Sequence, residues 1–402
     1  MLKSIKISNF YSFGEEQKIS LEINSKNVLD DSARYHKSGS YLNTVACIIG
    51  SNASGKTNAL RALSFLAWFI EEAYLLLKAD KSIPIELHKL HLGGATSFEL
   101  EFYQDEILYR YYIKLNQKQI LEEYLNKKAK RFSKKPIFKL IRNSKEAKLD
   151  HSIPHLNESD WERIKERSNV PLLSGLIDLG YLPEITFFKN IRTNVTQIGY
   201  TPFLRNQEIF EVSQVLYEDK RLQEDVLSFS KNIDLGIEDF NFKEISLVNR
   251  KNPDEKEKVQ LLECTHVSKD GKFNLPIYHE SNGTQRSYSI LSEVLIALRK
   301  NSVCIIDEIE DGLHPDVIKR IISLFESKET NPHNTQLIFS THQHLLLNDR
   351  TKTQIFLANK DHDSFETEIY RLDDIEGVRN DENYFHKYIA GVYGATPNIK
   401  WI

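Results

Sequence analysis

The residues with the clearest chemical purpose are Gly50, Ser51, Asn52, Ala53, Ser54, Gly55, Lys56 and Thr57, "GSNASGKT", which fill every fixed position of G-x-x-x-x-G-K-[ST]. Each fixed position has a local physical reason. Gly50 and Gly55 allow backbone conformations that turn successive N–H groups toward one anion. Lys56 brings a point charge for β- and γ-phosphate oxygens, and Thr57 brings a hydroxyl for Mg²⁺. A helix beginning here would direct its positive end at the same anion. Such a pattern also arises by chance in glycine-containing loops. Here it lies between the apolar run "TVACIIG" and a segment in which Leu60, Leu63, Leu66, Ala67, Ile70, Ala73 and Tyr74 recur at helical spacing. Strand, glycine loop and helix is the context the chemistry requires, so a nucleoside triphosphate, ATP or GTP, is the expected ligand, with Asn58 closing the loop.

A second stretch, "SVCIIDEIEDGLHPD", sets Asp307 and Glu308 side by side behind an apolar run. Adjacent carboxylates at the end of a buried strand need a cation, water or substrate to offset their desolvation. The phosphate loop supplies the cation: Asp307 is placed to hold the Mg²⁺ shell as a Walker B acid, and Glu308 to polarise the attacking water as a general base. A strand can also simply end in "DE" at a surface; the complete phosphate loop in the same chain favours the functional reading.

The elements that must position these residues are legible in outline. Leu2, Ile5 and Ile7 alternate with Lys3, Lys6 and Ser8, and "KISLEI" follows a turn at Gly14, as in a hairpin. A polar loop is expected from Asn24 to Asn43. Ser97 to Leu125 reads as three antiparallel strands broken at Gln104-Asp105 and Asn116-Gln117. From His279 the order is polar loop, helix "SYSILSEVLIALRK", strand "SVCIID", a helix near Asp316 to Ser327, and strand "TQLIFST". Between them, charged stretches such as "NESDWERIKER" lean helical and carry no sustained heptads, which predicts a compact lobe rather than a rod. The expected class is therefore α/β, a P-loop core sheet plus an antiparallel β subdomain with an inserted, mostly helical lobe. The expected divisions are 1–125, an N-terminal lobe with the phosphate loop; 126–262, a helical arm or lid; and 263–402, a C-terminal lobe.

Composition bounds the partners. The chain has 402 residues, 40% apolar and 27% charged, with a formal net charge of -4, so nucleic-acid binding would require a local basic patch. One candidate is "NKKAKRFSKK", Asn126 to Lys135, which reads either as a phosphate-backbone contact or as a solvated loop. The three cysteines lack zinc or disulfide spacing. No signal-peptide pattern precedes the first strand, and the apolar stretch Leu60 to Leu77 is broken by Arg61, Glu71 and Glu72. The expectation is a cytoplasmic protein with no membrane partner. Tyr384, Phe385, Tyr388, Tyr393 and Trp401 near the C-terminus suggest either a partner anchor or tail packing.

Three more stretches narrow the family. "ESNGTQRS" places Ser281 and Gly283 before a helix, "IEDGLHPD" follows Glu308, and "IFSTHQ" sets His342 after an apolar strand. Together with "IGSNASGKTN" they resemble the signature loop, D-loop and switch histidine of ABC-type ATPases of the SMC, RecF and OLD-like branch. "NASGKTN", "DEIEDGLHP" and "YIAGVYGATPNI" look most like stand-alone bacterial ATPases of the RloA and AbiL type, which resemble the ATPase subunits of PARIS-like anti-phage systems. The resemblance implies an ATPase using ATP and Mg²⁺. It implies a head-to-tail homodimer with composite sites, possibly a higher oligomer, in which Ser281 and Gly283 reach the γ-phosphate held by a second copy while His342 senses it. It also implies a separate effector, nuclease in type, and a phage trigger protein. On its own "ESNGTQ" is a good helix-cap sequence. The signature lacks the usual double glycine, the D-loop ends in His314 where many relatives carry Asp, and a Q-loop glutamine is sought near Gln197. The alternative is a DNA-repair or DNA-structuring ATPase of the RecF or SMC kind that binds DNA directly. An acid constellation for a built-in two-metal nuclease is not found after His342.

Overall fold

The computed structural model describes residues 1–24, 32–36, 39–128, 135–142, 146–195, 205–249 and 252–397. Its centre is a six-stranded sheet in the order β12-β16-β17-β6-β18-β19. These strands are β6 (Val45–Ile49), β12 (Arg192–Thr193), β16 (Val303–Ile306), β17 (Gln336–Thr341), β18 (Ile355–Lys360) and β19 (Thr367–Arg371). The first five run parallel and β19 pairs antiparallel to β18. β6, "VACII", and β16, "VCII", are buried at every position, as expected of strands covered on both faces.

The cover differs on the two faces. On one, α1 (Lys56–Glu71) is wedged between Ile48, Ile305 and Ile338 of the core sheet and Ile5, Ile7, Phe98 and Leu100 of a second sheet. A helix covered on both sides must be apolar nearly all round, and α1 buries residues from Ala59 through Ile70 with the exception of Arg61. On the other face, Val45, Cys47, Cys304, Ile306, Leu337 and Phe339 pack against α7 (Asn282–Lys300) and α8 (Pro315–Glu326). The second sheet is antiparallel, in the order β11-β10-β9-β8-β7-β1-β2. It comprises β1 (Leu2–Ser8), β2 (Gln17–Ser20), β7 (Thr96–Gln104), β8 (Ile107–Leu115), β9 (Ile120–Lys128), β10 (Phe138–Arg142) and β11 (Ala147–His151). The N-terminal hairpin and the three expected strands are thus present, turning at Asp105-Glu106 and Asn116–Gln119.

Three features depart from the sequence reading. Within the polar stretch 24–43, β4 (Ala33–His36) and β5 (Ser40–Asn43) pair with each other, and β5 also pairs with β3 (Glu22–Ile23). The segment 126–262 is not mostly helical. It holds α3 (Glu158–Glu166), α4 (Leu172–Asp178), α5 (Arg205–Glu218) and α6 (Lys220–Asn232), but also β10, β11, β12 and β13 (Asp239–Asn249), and most of β14 (Asn252–Ser268). β13, β14 and β15 (Gly271–Pro276) form a three-stranded antiparallel sheet that crosses residue 262, while β10 and β11 carry the large sheet past residue 125. The physical reason is that Glu, Lys and Leu lend "DEKEKVQLLE" helix propensity, and pairing with β13 overrides it. Phe240, Leu262 and Cys264 of this sheet pack on α5, α6 and α7. Finally, α7 begins at Asn282, so Gly283 lies in its first turn and not ahead of it. The short α2 (Ala73–Leu76) follows α1, and α9 (Tyr384–Ile389) closes the C-terminal part.

Candidate nucleotide site

Because β6, β12, β16 and β17 are parallel, the residues that follow them meet at one edge: Gly50 after β6, Asn194 after β12, Asp307 after β16 and His342 after β17. Ligands of open α/β sheets bind at this carboxyl edge. The loop from Gly50 enters α1 through Gly55, whose φ of +101° belongs to the left-handed region and whose Cβ, if present, would lie 2.1 Å from Thr367 Oγ1. No side chain caps α1, so its first-turn N–H groups remain available to an anion. Lys56 Nζ donates to the carbonyls of Gly50 (3.1 Å) and Ser51 (2.9 Å). Burial lowers its ammonium below the ordinary lysine value, while Asp307, Glu308 and Glu310 pull it the other way.

The acid pair is held asymmetrically. Thr57 Oγ1 donates to Asp307 Oδ1 at 3.2 Å, and the Ser340 hydroxyl donates to the same oxygen. Asp307 N–H donates to Asn194 Oδ1 (2.7 Å) and Asn194 Nδ2 returns a bond to Asp307 O (3.2 Å). Glu308 is left more open: its side chain is 57% exposed, with His342 Nε2 3.6 Å from Oε1. Its φ of +50° is a strained conformation for a non-glycine residue, held by Glu308 N–H donating to Ser340 Oγ at 2.8 Å. Glu310 points elsewhere: it accepts from His342 N–H, and its other oxygen is buried without a hydrogen-bond partner among the described residues.

A cleft of about 610 Å³ runs over these groups, lined by the loop Asn52–Asn58 together with Ser12, Arg61, Glu308, His342 and Lys360. Three cations, Lys56, Arg61 and Lys360, line the cleft with the carboxylate of Glu308, and Asp307 lies behind Thr57, a set suited to a polyphosphate with a divalent cation. Beside it lies an apolar hollow of about 650 Å³ lined by Tyr11, Leu87, Leu90 and Phe365. Ser281 and Gly283 do not line the cleft. Ser281 caps α7, accepting from Thr284 N–H at 3.1 Å, and Gly312 packs over this first turn. His314 caps α8 through a bond from Asp316 N–H, with Pro315 in the first position.

Several supporting residues escaped the sequence reading. Asn194 follows a two-residue strand too short for a periodic signal; its place beside β16 is set by Arg192, which forms a two-pronged pair with Glu293 of α7 at 2.6 and 2.7 Å, and by Thr193, 2.8 Å from Ser64 of α1. Ser340 lies inside the quoted "IFSTHQ", where the hydroxyl before the histidine was the available signal. The tail also braces the loop: Ala395 O accepts from Ser51 N–H (3.1 Å) and from Tyr388 OH (2.9 Å). Tyr384, Tyr388 and Tyr393 are buried around it, so these aromatics are packing rather than a partner anchor. Gln197, Trp401 and most of the basic run, residues 129–134, lie outside the described residues.

Fold and cleft together define a P-loop nucleotide-binding domain. The profile of the family described as "AAA domain, putative AbiEii toxin, Type IV TA system" matches residues 45–348, from β6 to just beyond His342, and the chain belongs to that family. Among solved structures it is similar to the SMC head domain from Thermotoga maritima, at 15% identity over 92% of this chain and 98% of that one, with a TM-score of 0.41. It is similar to an SmcHead bound to the C-winged helix domain of ScpA at 15% identity, 92% and 97% coverage and a TM-score of 0.43. A third is the Smc head domain with an extended coiled coil bound to the C-terminal domain of ScpA derived from Pyrococcus furiosus, at 12%, 92% and 96%, and 0.40. No curated protein sequence matches. Among the described residues no helix is long and apolar enough to cross a membrane.

Proposed function

We propose that the chain is an ATP-hydrolysing ABC-type ATPase serving as the nucleotide-driven sensor and regulatory scaffold of a bacterial anti-phage system, in which it controls a separate effector of nuclease type. The observation that carries the reading is the half-open site: phosphate loop, acid pair and histidine converge on one cleft, yet Ser281 and Gly283 lie outside it. A second copy, docked head to tail, supplies a helix start to complete it.

The donor set fits Mg²⁺, a hydroxyl and a carboxylate oxygen lying 3.2 Å apart at Thr57 and Asp307. When bound, the ion neutralises phosphate charge. The chain's own residues do the rest. Lys56 and the α1 amides hold the phosphates, Glu308 accepts a proton from water in the cleft, and His342, just after β17, bonds the γ-phosphate or that water. ATP then stabilises the dimer through its differential affinity for that state, and hydrolysis resets it. The family description as a putative toxin of a type IV toxin–antitoxin system supports a role in a regulated toxic system. A cytoplasmic setting fits the free, buried Cys47, Cys264 and Cys304.

The test is the native mass, by light scattering, of the chain co-expressed with its neighbouring genes, with and without ATP and Mg²⁺. A co-purifying protein whose retention depends on nucleotide is the expected result. A chain that runs alone and binds duplex DNA with a steep salt dependence would replace this reading with the DNA-structuring one.

A further inference from the structure

Beyond the phosphate cradle, His88, His91 and Glu366 come together. Each offers one ligand atom, and these atoms lie within 4.8 Å of one another, the single such group of His, Cys, Asp or Glu among the described residues. The two histidines stand three apart in a turn closed by bonds from His91 N–H to His88 O (2.9 Å) and from Gly94 N–H to His91 O (3.0 Å). Buried Asn9 fixes this turn from beneath: its Oδ1 accepts from His88 N–H at 3.0 Å and its Nδ2 donates to His91 O at 3.1 Å. Glu366 arrives from the far end of the chain. It fits because position 14 is glycine, where a Cβ would lie 2.1 Å from Glu366 Oε1. His91 Nε2 is 2.7 Å from that oxygen.

A plain His91–Glu366 hydrogen bond accounts for two of the three residues. It leaves unexplained why His88, 3% exposed, is brought alongside, with its ring centroid 5.1 Å from that of His91. Among the described residues, the hydrogen bond to the His88 ring is a long 3.3 Å one from Leu90 N–H to Nδ1. A buried imidazole so weakly engaged, beside a second imidazole and a carboxylate, is the donor set of a zinc-type ion. Ligand atoms around tetrahedral zinc lie roughly 3.3 Å apart. Small rotations of His91 and Glu366, whose side chains are 46% and 24% exposed, close the present spread.

We propose that His88, His91 and Glu366 bind a transition-metal ion of the zinc class at the rim of the nucleotide cleft, separate from the Mg²⁺ position at Thr57 and Asp307. The ion takes the place of the proton on His91 Nε2, which passes through solvent to the other ring nitrogen, so the ring coordinates as a neutral imidazole. Three protein ligands leave a fourth position for water. The site lies beside the cleft and touches elements that border it. Glu366 precedes Thr367, whose hydroxyl bonds Ser54 O (2.9 Å) and Ser12 Oγ (2.7 Å) at the phosphate loop, while His88 lines the adjoining apolar hollow.

The experiment is a titration of the chelator-stripped full chain with Zn²⁺ by calorimetry, without nucleotide or Mg²⁺, and with Co²⁺ followed by visible absorption. One ion per chain with strong tetrahedral Co²⁺ bands is expected. His91→Ala and Glu366→Gln should each weaken binding by roughly 100-fold, and Lys56→Ala should leave it unchanged. Glu366→Gln keeps an acceptor for His91, so it preserves a purely structural pair while removing the charged ligand. Zinc affinity equal in the wild type and both rim variants, or lost in Lys56→Ala with the rim intact, overturns the proposal.

Discussion

Two carboxylates show how the same group serves opposite ends. Glu123, on β9, is fully buried and saturated by its own chain: its oxygens accept from Leu172 N–H (2.7 Å), Leu173 N–H (2.9 Å) and Tyr111 OH (3.0 Å). It caps α4, which Pro171 leaves without a side-chain cap. Glu308 stands at a strained φ, 57% exposed, with His342 Nε2 at 3.6 Å and Lys56, Arg61 and Lys360 lining the same cleft. A structural carboxylate is completed by the fold. The carboxylate proposed as the base is left with capacity for something the fold does not contain.

The largest expected effect lies at the open end. Glu308→Gln should lower ATP turnover by about 1000-fold while nucleotide binding is kept, measured by single-turnover hydrolysis beside a binding titration. Unchanged turnover would remove Glu308 from the role of base and make the comparison one of exposure alone.

At the closed end the consequence is a pH dependence of stability. Burial pushes the Glu123 carboxyl up to about 7, against the opposing N–H and hydroxyl bonds. The folded state therefore holds this proton more tightly than the unfolded chain. The associated stability is complete below the unfolded value of 4.5 and is lost as pH rises through about 7. The loss is about 3 kcal/mol between those limits. Thermal melts from pH 4 to 8 should show the decline in the wild type and a flatter profile in Glu123→Gln; equal slopes would mean that other groups set it.

The smallest effect separates cap from trans-acting donor. Ser281→Ala costs about 1 kcal/mol as a lost helix cap. Turnover should fall further than that under saturating ATP if the α7 start completes a partner's site. A melting shift with unaltered turnover would return Ser281 to a structural role.

The residues proposed to carry the chemistry were legible from the chain by type and local order. "GSNASGKT", the acid pair and His342 each sit where an apolar run ends, and a short-range pattern of strand, loop and helix is written in neighbouring side chains. The parallel sheet then brings these ends to one edge, as that order requires. The same reading fails for the segment 126–262, where charged helix formers are held as strands in the β13–β14 hairpin by main-chain pairing that overrides their propensity. It also places Gly283 one element too early, because a helix start is decided by the Ser281 cap bond and not by the glycine.

The support for these residues comes from tertiary packing. Asn194 clasps the peptide of Asp307 across 113 positions, Ser340 reaches its carboxylate across 33, and His91 meets Glu366 across 275. Such pairs leave no period or motif in the sequence, since each partner is an ordinary polar residue in its own neighbourhood. Their meaning arises when burial removes water and a distant group becomes the available hydrogen-bond partner. Residue types and their local order set which side chains can cradle phosphate; the packing of distant segments sets how firmly they are held and which side of the site stays open.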